Sequence, residues 1–152
     1  MLKQEVERNG AQLRSYTPVL IIDDDPEDRQ VLSDLVQGVN PLLHTKTFAN
    51  GLELVQYLSD LPEEALPLLL FLGLRMPIWD GIRTLKALQL DARYSKIRKY
   101  VVSLADTEYE VSLALRCGAK EFIIKPSGGS TFSTFSKKIA DAVESIVANH
   151  LS

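Results

Sequence analysis

The sequence predicts an α/β domain built on a doubly wound, five-stranded parallel sheet, and three observations predict it. Strand-like runs alternate with segments of helical period along most of the chain. The central run, Leu68 to Leu72, is apolar without a polar break, as strands covered on both faces are. The length of 152 residues suits one domain with a continuous core and is short for two. Alternation of this kind implies parallel strands joined by right-handed crossovers, with helices on both faces of the sheet.

Residues 1–16 mix charges with scattered apolar positions and read as a loosely attached N-terminal arm, with the domain proper over 17–152. VLII (19–22) is the first strand. Val31, Leu32, Leu35, Val36 and Val39 then mark one face of a helix, which Asp25 caps ahead of Pro26, with Glu27 and Asp28 in its first turn. HTKTF (44–48) is a short second strand, and Asn50 caps a helix whose apolar face carries Leu54, Val55 and Leu58. The LLLFL strand follows, then a helix with Ile82, Leu85 and Leu88 inward. YVVSL (100–104) is the fourth strand, and a helix from Thr107 to Arg116 stops before Gly118. EFIIK (121–125) is the fifth strand. SGGSTFSTFS (127–136) reads as a loop leading into a last helix, whose inward side holds Phe132, Phe135, Ile139, Ala142, Val143 and Ile146.

Composition excludes several classes. Seventeen basic against 20 acidic residues give a net charge of −3, with no basic footprint for nucleic acid. No apolar run approaches the roughly 20 residues of a membrane-spanning helix, and the N-terminus lacks the apolar core of a secretion signal, so a cytoplasmic protein is expected. Cys117 is the sole cysteine, which excludes an internal disulfide and any CxxC metal site, and it reads as a small packed side chain.

In doubly wound folds the site lies at the carboxyl ends of the strands, beside the switch in strand order. The residues expected there are Asp23, Asp24 and Asp25 after the first strand, Gly73 after the third, Ser103 on the fourth and Lys125 on the fifth. Neighbouring carboxylates repel and need a cation, a lysine or a capping role. Asp25 is accounted for as a cap, which leaves Asp23 and Asp24 as an acidic pocket. Gly73 is odd, because glycine weakens a strand interior and offers no chemistry.

Taken in order, these residues resemble the receiver domain of two-component response regulators, a (βα)5 flavodoxin-like fold, from Pro18 to about Val147. IIDDDP resembles the family's acid pair and MPIWDG the loop after its phosphorylated aspartate. Ser103 falls at the hydroxyl position, IIKP supplies the lysine followed by proline, and Phe122 matches the aromatic switch position paired with Ser103. The resemblance implies a phosphorelay protein whose aspartate takes a phosphoryl group from a histidine kinase, assisted by magnesium, the hydroxyl and the lysine. The family's aspartate stands four residues before the proline of that loop, and here that position is Gly73. Two further departures are Leu104, where a small residue usually leaves the site open, and Arg75, whose backbone carbonyl holds the position that reaches the metal. The Arg75 side chain either faces solvent or turns into the acidic pocket.

The resemblance therefore implies a receiver without a nucleophile, not an enzyme, acting by protein binding or as a phosphorylation-dead form, and it is expected to stand alone because the sequence ends soon after the fifth helix. It leaves open whether this is a natural pseudo-receiver or a receiver whose aspartate has been changed. Magnesium would have only Asp23, Asp24, the Arg75 carbonyl and water, so its binding is expected to be weak. Expected partners are a sensor histidine kinase or a downstream signalling protein, with a homodimer possible. A flavodoxin-like flavin or nucleotide binder would need a phosphate-cradling loop where this chain has DDDP. A magnesium-dependent phosphatase would need a further carboxylate at Gly73, and His44 and His150 are poorly placed for a histidine phosphocarrier.

Overall fold

Val19–Ile22 forms β1 and Leu69–Gly73 forms β3, and every residue of both is buried. They are neighbours at the centre of one parallel sheet of order β2-β1-β3-β4-β5, completed by Thr45–Phe48 (β2), Arg98–Ser103 (β4) and Glu121–Ile124 (β5). The computed structural model describes residues 17–104, 107–128 and 131–151, so the expected arm over 1–16 lies outside the described residues. The connecting helices are Pro26–Val39 (α1), Gly51–Ser59 (α2), Gly81–Gln89 (α3), Glu108–Arg116 (α4) and Phe132–Leu151 (α5).

Side-chain alternation along the strands divides the core into two layers. Ile21, Phe71, Val102 and Ile123 pack on one face with Leu32 and Val36 of α1 and Ile139 and Val143 of α5. Ile22, Leu72 and Val101 pack on the other with Leu54 of α2, Leu85 of α3 and Ala114 of α4. Cys117 is buried in this second layer, as expected of a small packed side chain. No helix among the described residues is long and apolar enough to cross a membrane.

The helix starts follow local chemistry. Asp25 accepts the Glu27 N–H at 2.8 Å, Asn50 the Glu53 N–H at 3.0 Å and Thr107 the Glu110 N–H at 3.0 Å. Each satisfies a donor that the first turn leaves unpaired, an interaction worth about 1 kcal/mol. Gly118, with φ of +106°, follows the end of α4 in a conformation that glycine adopts without strain. Gly81 opens α3 with its N–H on the Leu74 carbonyl at 2.8 Å, and a Cβ there would lie 2.4 Å from the Gly73 carbonyl oxygen. Only glycine lets α3 begin this close to the end of β3.

The strand boundaries differ from those read in the sequence. β2 starts at Thr45 rather than His44, β3 runs one residue further to include Gly73, and β5 ends before Lys125. β4 starts at Arg98 and excludes Leu104, because Arg98 and Lys99 pair with Leu69 and Leu70 of the long central strand. Phe132 and Val31 are corrections: both were expected inward, and they are 54% and 39% exposed. Phe132 is the first residue of α5 and Val31 lies in the second turn of α1, and both line a groove with Leu104 and Pro126 at the carboxyl edge of the sheet. Helical period identifies a face but not where the sheet beneath it ends.

Candidate functional site

Because all five strands run the same way, their carboxyl ends meet on one edge, and the order reverses there between β1 and β3. Asp23, Gly73 and Lys125 each stand two residues beyond a buried apolar residue of one core layer: Ile21, Phe71 and Ile123. Together with Asp24, Asp25, Asp28, Arg75, Ser103 and Leu104 they line an open cleft of about 470 Å³.

Asp23 is its buried centre, 2% exposed. Its Oδ1 accepts the Asp25 N–H at 2.9 Å and its Oδ2 accepts the Lys125 ammonium at 2.7 Å, while its carbonyl accepts from the Arg29 guanidinium at 2.6 Å. The ammonium also donates to Asp28 Oδ2 at 2.7 Å. Burial alone would lower the Lys125 pKa, but the hydrogen bonds and charges of Asp23 and Asp28 outweigh it and hold the pKa above the ordinary lysine value. The Lys125 N–H donates to the Ser103 carbonyl at 2.8 Å, which ties the lysine backbone to the end of β4. Asp24 is exposed, and Asp25 is the α1 cap.

Ser103 is 5% exposed, at the end of β4, and lines the cleft. Gly73 faces the same space. A Cβ on it would lie 3.3 Å from the Ile22 carbonyl oxygen and 3.5 Å from Met76, so a side chain there requires the β1 backbone to give by a few tenths of an ångström. Leu104, 49% exposed, stands on the rim. Phe122 is half-buried against the layer formed by α2, α3 and α4. Of the two positions open to the Arg75 side chain, neither the acidic pocket nor free solvent describes it fully: it is 61% exposed and paired with Glu110 of α4. The other oxygen of Glu110 is buried and unpartnered among the described residues.

The strand-end residues read from the sequence are thus brought together, whereas Asp28 and Glu110 were missed as ion-pair partners. Asp28 carried one local signal. It sits four residues before Leu32, on the inward face of α1, where a carboxylate needs a counter-charge.

This edge of acid pair, hydroxyl and lysine on a five-stranded parallel sheet defines a class, and residues 19–134 match the response regulator receiver domain. The chain belongs to that family. It is 33% identical over 113 residues, 74% of its own length, to the "Probable C4-dicarboxylate response regulator DctR" of Bacillus subtilis (strain 168), and 28% identical over 127 residues, 83% of its length, to a protein-glutamate methylesterase/protein-glutamine glutaminase of Moorella thermoacetica. It spans 47% and 28% of the lengths of these relatives. The crystal structure of a response regulator from Chloroflexus aurantiacus superposes with a TM-score of 0.71 over 88% of this chain and 98% of that one; at 20% identity the likeness is one of fold.

Magnesium, the cation implied by this family, does not fit the donor set. It favours octahedral oxygen ligands led by carboxylates and phosphates. Asp23 already has a donor on each oxygen, Gly73 has no side chain, and no group of three His, Cys, Asp or Glu among the described residues is arranged to hold a metal.

Proposed function

We propose that this chain is a receiver domain, over residues 17–152, that signals by binding protein rather than by accepting phosphate, because Gly73 stands where the family carries its phosphoacceptor aspartate. The supporting observation is the place of Gly73: at the end of β3, lining one cleft with Asp23, Asp24, Ser103 and Lys125. A covalent phosphoryl intermediate needs a carboxylate nucleophile at that position, and glycine supplies none. Lys125, which would neutralise charge on a phosphoryl group, is instead engaged by two carboxylates.

The proposed partners are a sensor histidine kinase or a downstream cytoplasmic signalling protein, docking on the surface of α4, β5 and α5, where a homodimer could also form. Ser103 and Phe122 are the proposed switch pair, and magnesium is expected to bind weakly if at all, since Asp23 is engaged by Lys125 and only Asp24 and the Arg75 carbonyl are left to it. We assign the chain no enzymatic activity; the methylesterase named above is matched over 28% of its length. The test is intact mass after incubation with acetyl phosphate and magnesium. An unchanged mass is expected, and stoichiometric phosphorylation of the native chain would overturn the reading.

A further inference from the structure

The cleft carries a cation of its own. We propose that the Lys125 ammonium, held by Asp28 as well as Asp23, occupies the electrostatic place of a divalent metal, so that this chain neutralises its acidic pocket without one. The inference rests on the reading of the cleft as a receiver pocket lacking its nucleophile.

The geometry is that of a chelated cation. Nζ lies 2.7 Å from a carboxylate oxygen of Asp23 and 2.7 Å from one of Asp28, contributed by the end of β1 and the first turn of α1. Charge-assisted hydrogen bonds of this length are the strong ones. The lysine side chain is 12% exposed and that of Asp23 3%, so water screens the pair little. The second Asp23 oxygen is taken by the Asp25 N–H. A divalent ion on Asp23 would sit beside the ammonium on the same carboxylate, and it must displace the lysine or do without this ligand.

Displacement is opposed from two sides. Asp28 holds the ammonium independently of Asp23, and the Lys125 backbone is fixed to the Ser103 carbonyl. Asp28 is therefore a positioning residue: it keeps the charge over the acid pair. Of the other cations near Asp23, Arg75 is paired with Glu110 and Arg29 donates to the Asp23 backbone carbonyl, so the ammonium that bonds the Asp23 carboxylate is that of Lys125.

Calorimetric and thermal-melt titrations with magnesium and manganese, against sodium chloride at matched ionic strength, test this on the native chain, Lys125→Met and Lys125→Gln. The native chain should melt at the same temperature with divalent cation as with the sodium control. Either lysine variant should melt lower without metal and recover several degrees when metal binds the native state. Tight metal binding by the native chain overturns the proposal, as does a folded variant that gains no metal response. For Asp28→Asn, which removes one of the two carboxylates that hold the ammonium, a divalent-cation response should appear in the same melts where the native chain has none; a folded variant as unresponsive as the native chain would remove Asp28 from the account. None of these readouts involves phosphate, so their failure leaves the reading of Gly73 to its own mass measurement.

Discussion

A lysine is buried at one end of the parallel sheet and another is largely covered at the opposite end, and the two ends treat it in opposite ways. At the amino end, Lys99 on β4 is 7% exposed and donates to the carbonyls of Tyr94 and Ile97 at 3.1 and 2.9 Å. Those oxygens are neutral, so burial dominates and pushes its pKa below the ordinary lysine value. At the carboxyl end, two carboxylates hold Lys125 and raise its pKa. The amino end uses an ammonium as a cap for a short 3-10 turn, Ala92–Tyr94, whereas the carboxyl end uses one as a counter-ion for an acidic pocket. The first solution satisfies backbone; the second keeps charge concentrated where ligands of this fold class bind.

The largest expected effect that separates the ends is on stability. Lys125→Met strips the counter-charge from the buried Asp23 carboxylate and should cost about 3 kcal/mol in urea unfolding, since breaking a buried pair leaves the partner uncompensated. Lys99→Met removes a buried charge together with its donors, and these offset, so its stability should stay within about 1 kcal/mol of native. Equal losses in the two variants would break the comparison.

A smaller effect concerns the backbone. Ile78, in the loop between β3 and α3, has φ of +68° and is the one non-glycine residue with positive φ among the described residues. A β-branched side chain is strained there, by about 1–2 kcal/mol. Ile78→Gly should therefore raise stability by about 1 kcal/mol, part of the relief being offset by the flexibility of glycine in the unfolded chain. No gain would mean that the strain is taken up by the surrounding loop.

The finest distinction is in pH dependence. The folded pKa of Lys125 is raised, so its stabilisation is complete below the ordinary lysine value, near 10.5, and is lost as pH rises through the folded value. The folded pKa of Lys99 is lowered, so its protonation opposes folding at neutral pH, and that cost is relieved as pH climbs through the folded value toward 10.5. The stability gap between Lys99→Met and native should thus change below that pH, and the gap between Lys125→Met and native above it. Both gaps moving in one window would contradict the assignment.

What the sequence made legible follows the same division between local and distant chemistry. β1 was readable because four apolar residues in a row demand cover on both faces, and the caps at Asp25 and Asn50 because they bond within their own first turns. The gathering of Asp23, Gly73, Ser103 and Lys125 was readable from strand polarity alone. The extent of β4 was not, since its pairing with β3 is what draws in Arg98 and Lys99. The bridge from Lys125 to Asp28 spans 97 positions and that from Arg75 to Glu110 spans 35, and no local pattern announces either. The exposure of Phe132 depends on where the sheet edge falls beneath α5, a tertiary fact with no local signature.

The central claim, that Gly73 leaves the pocket without its nucleophile, is tested most directly by restoring the carboxylate. Gly73→Asp, alone and with Leu104→Ala, should be incubated with acetyl phosphate and magnesium beside the native chain, and phosphate read by intact mass. A side chain at Gly73 requires the Ile22 carbonyl, 3.3 Å from the added Cβ, to give by a few tenths of an ångström. The account predicts phosphate on a restored variant and none on the native chain, and phosphate on the double variant alone would locate an obstruction at Leu104. Phosphate on neither folded variant, or on the native chain, would contradict it.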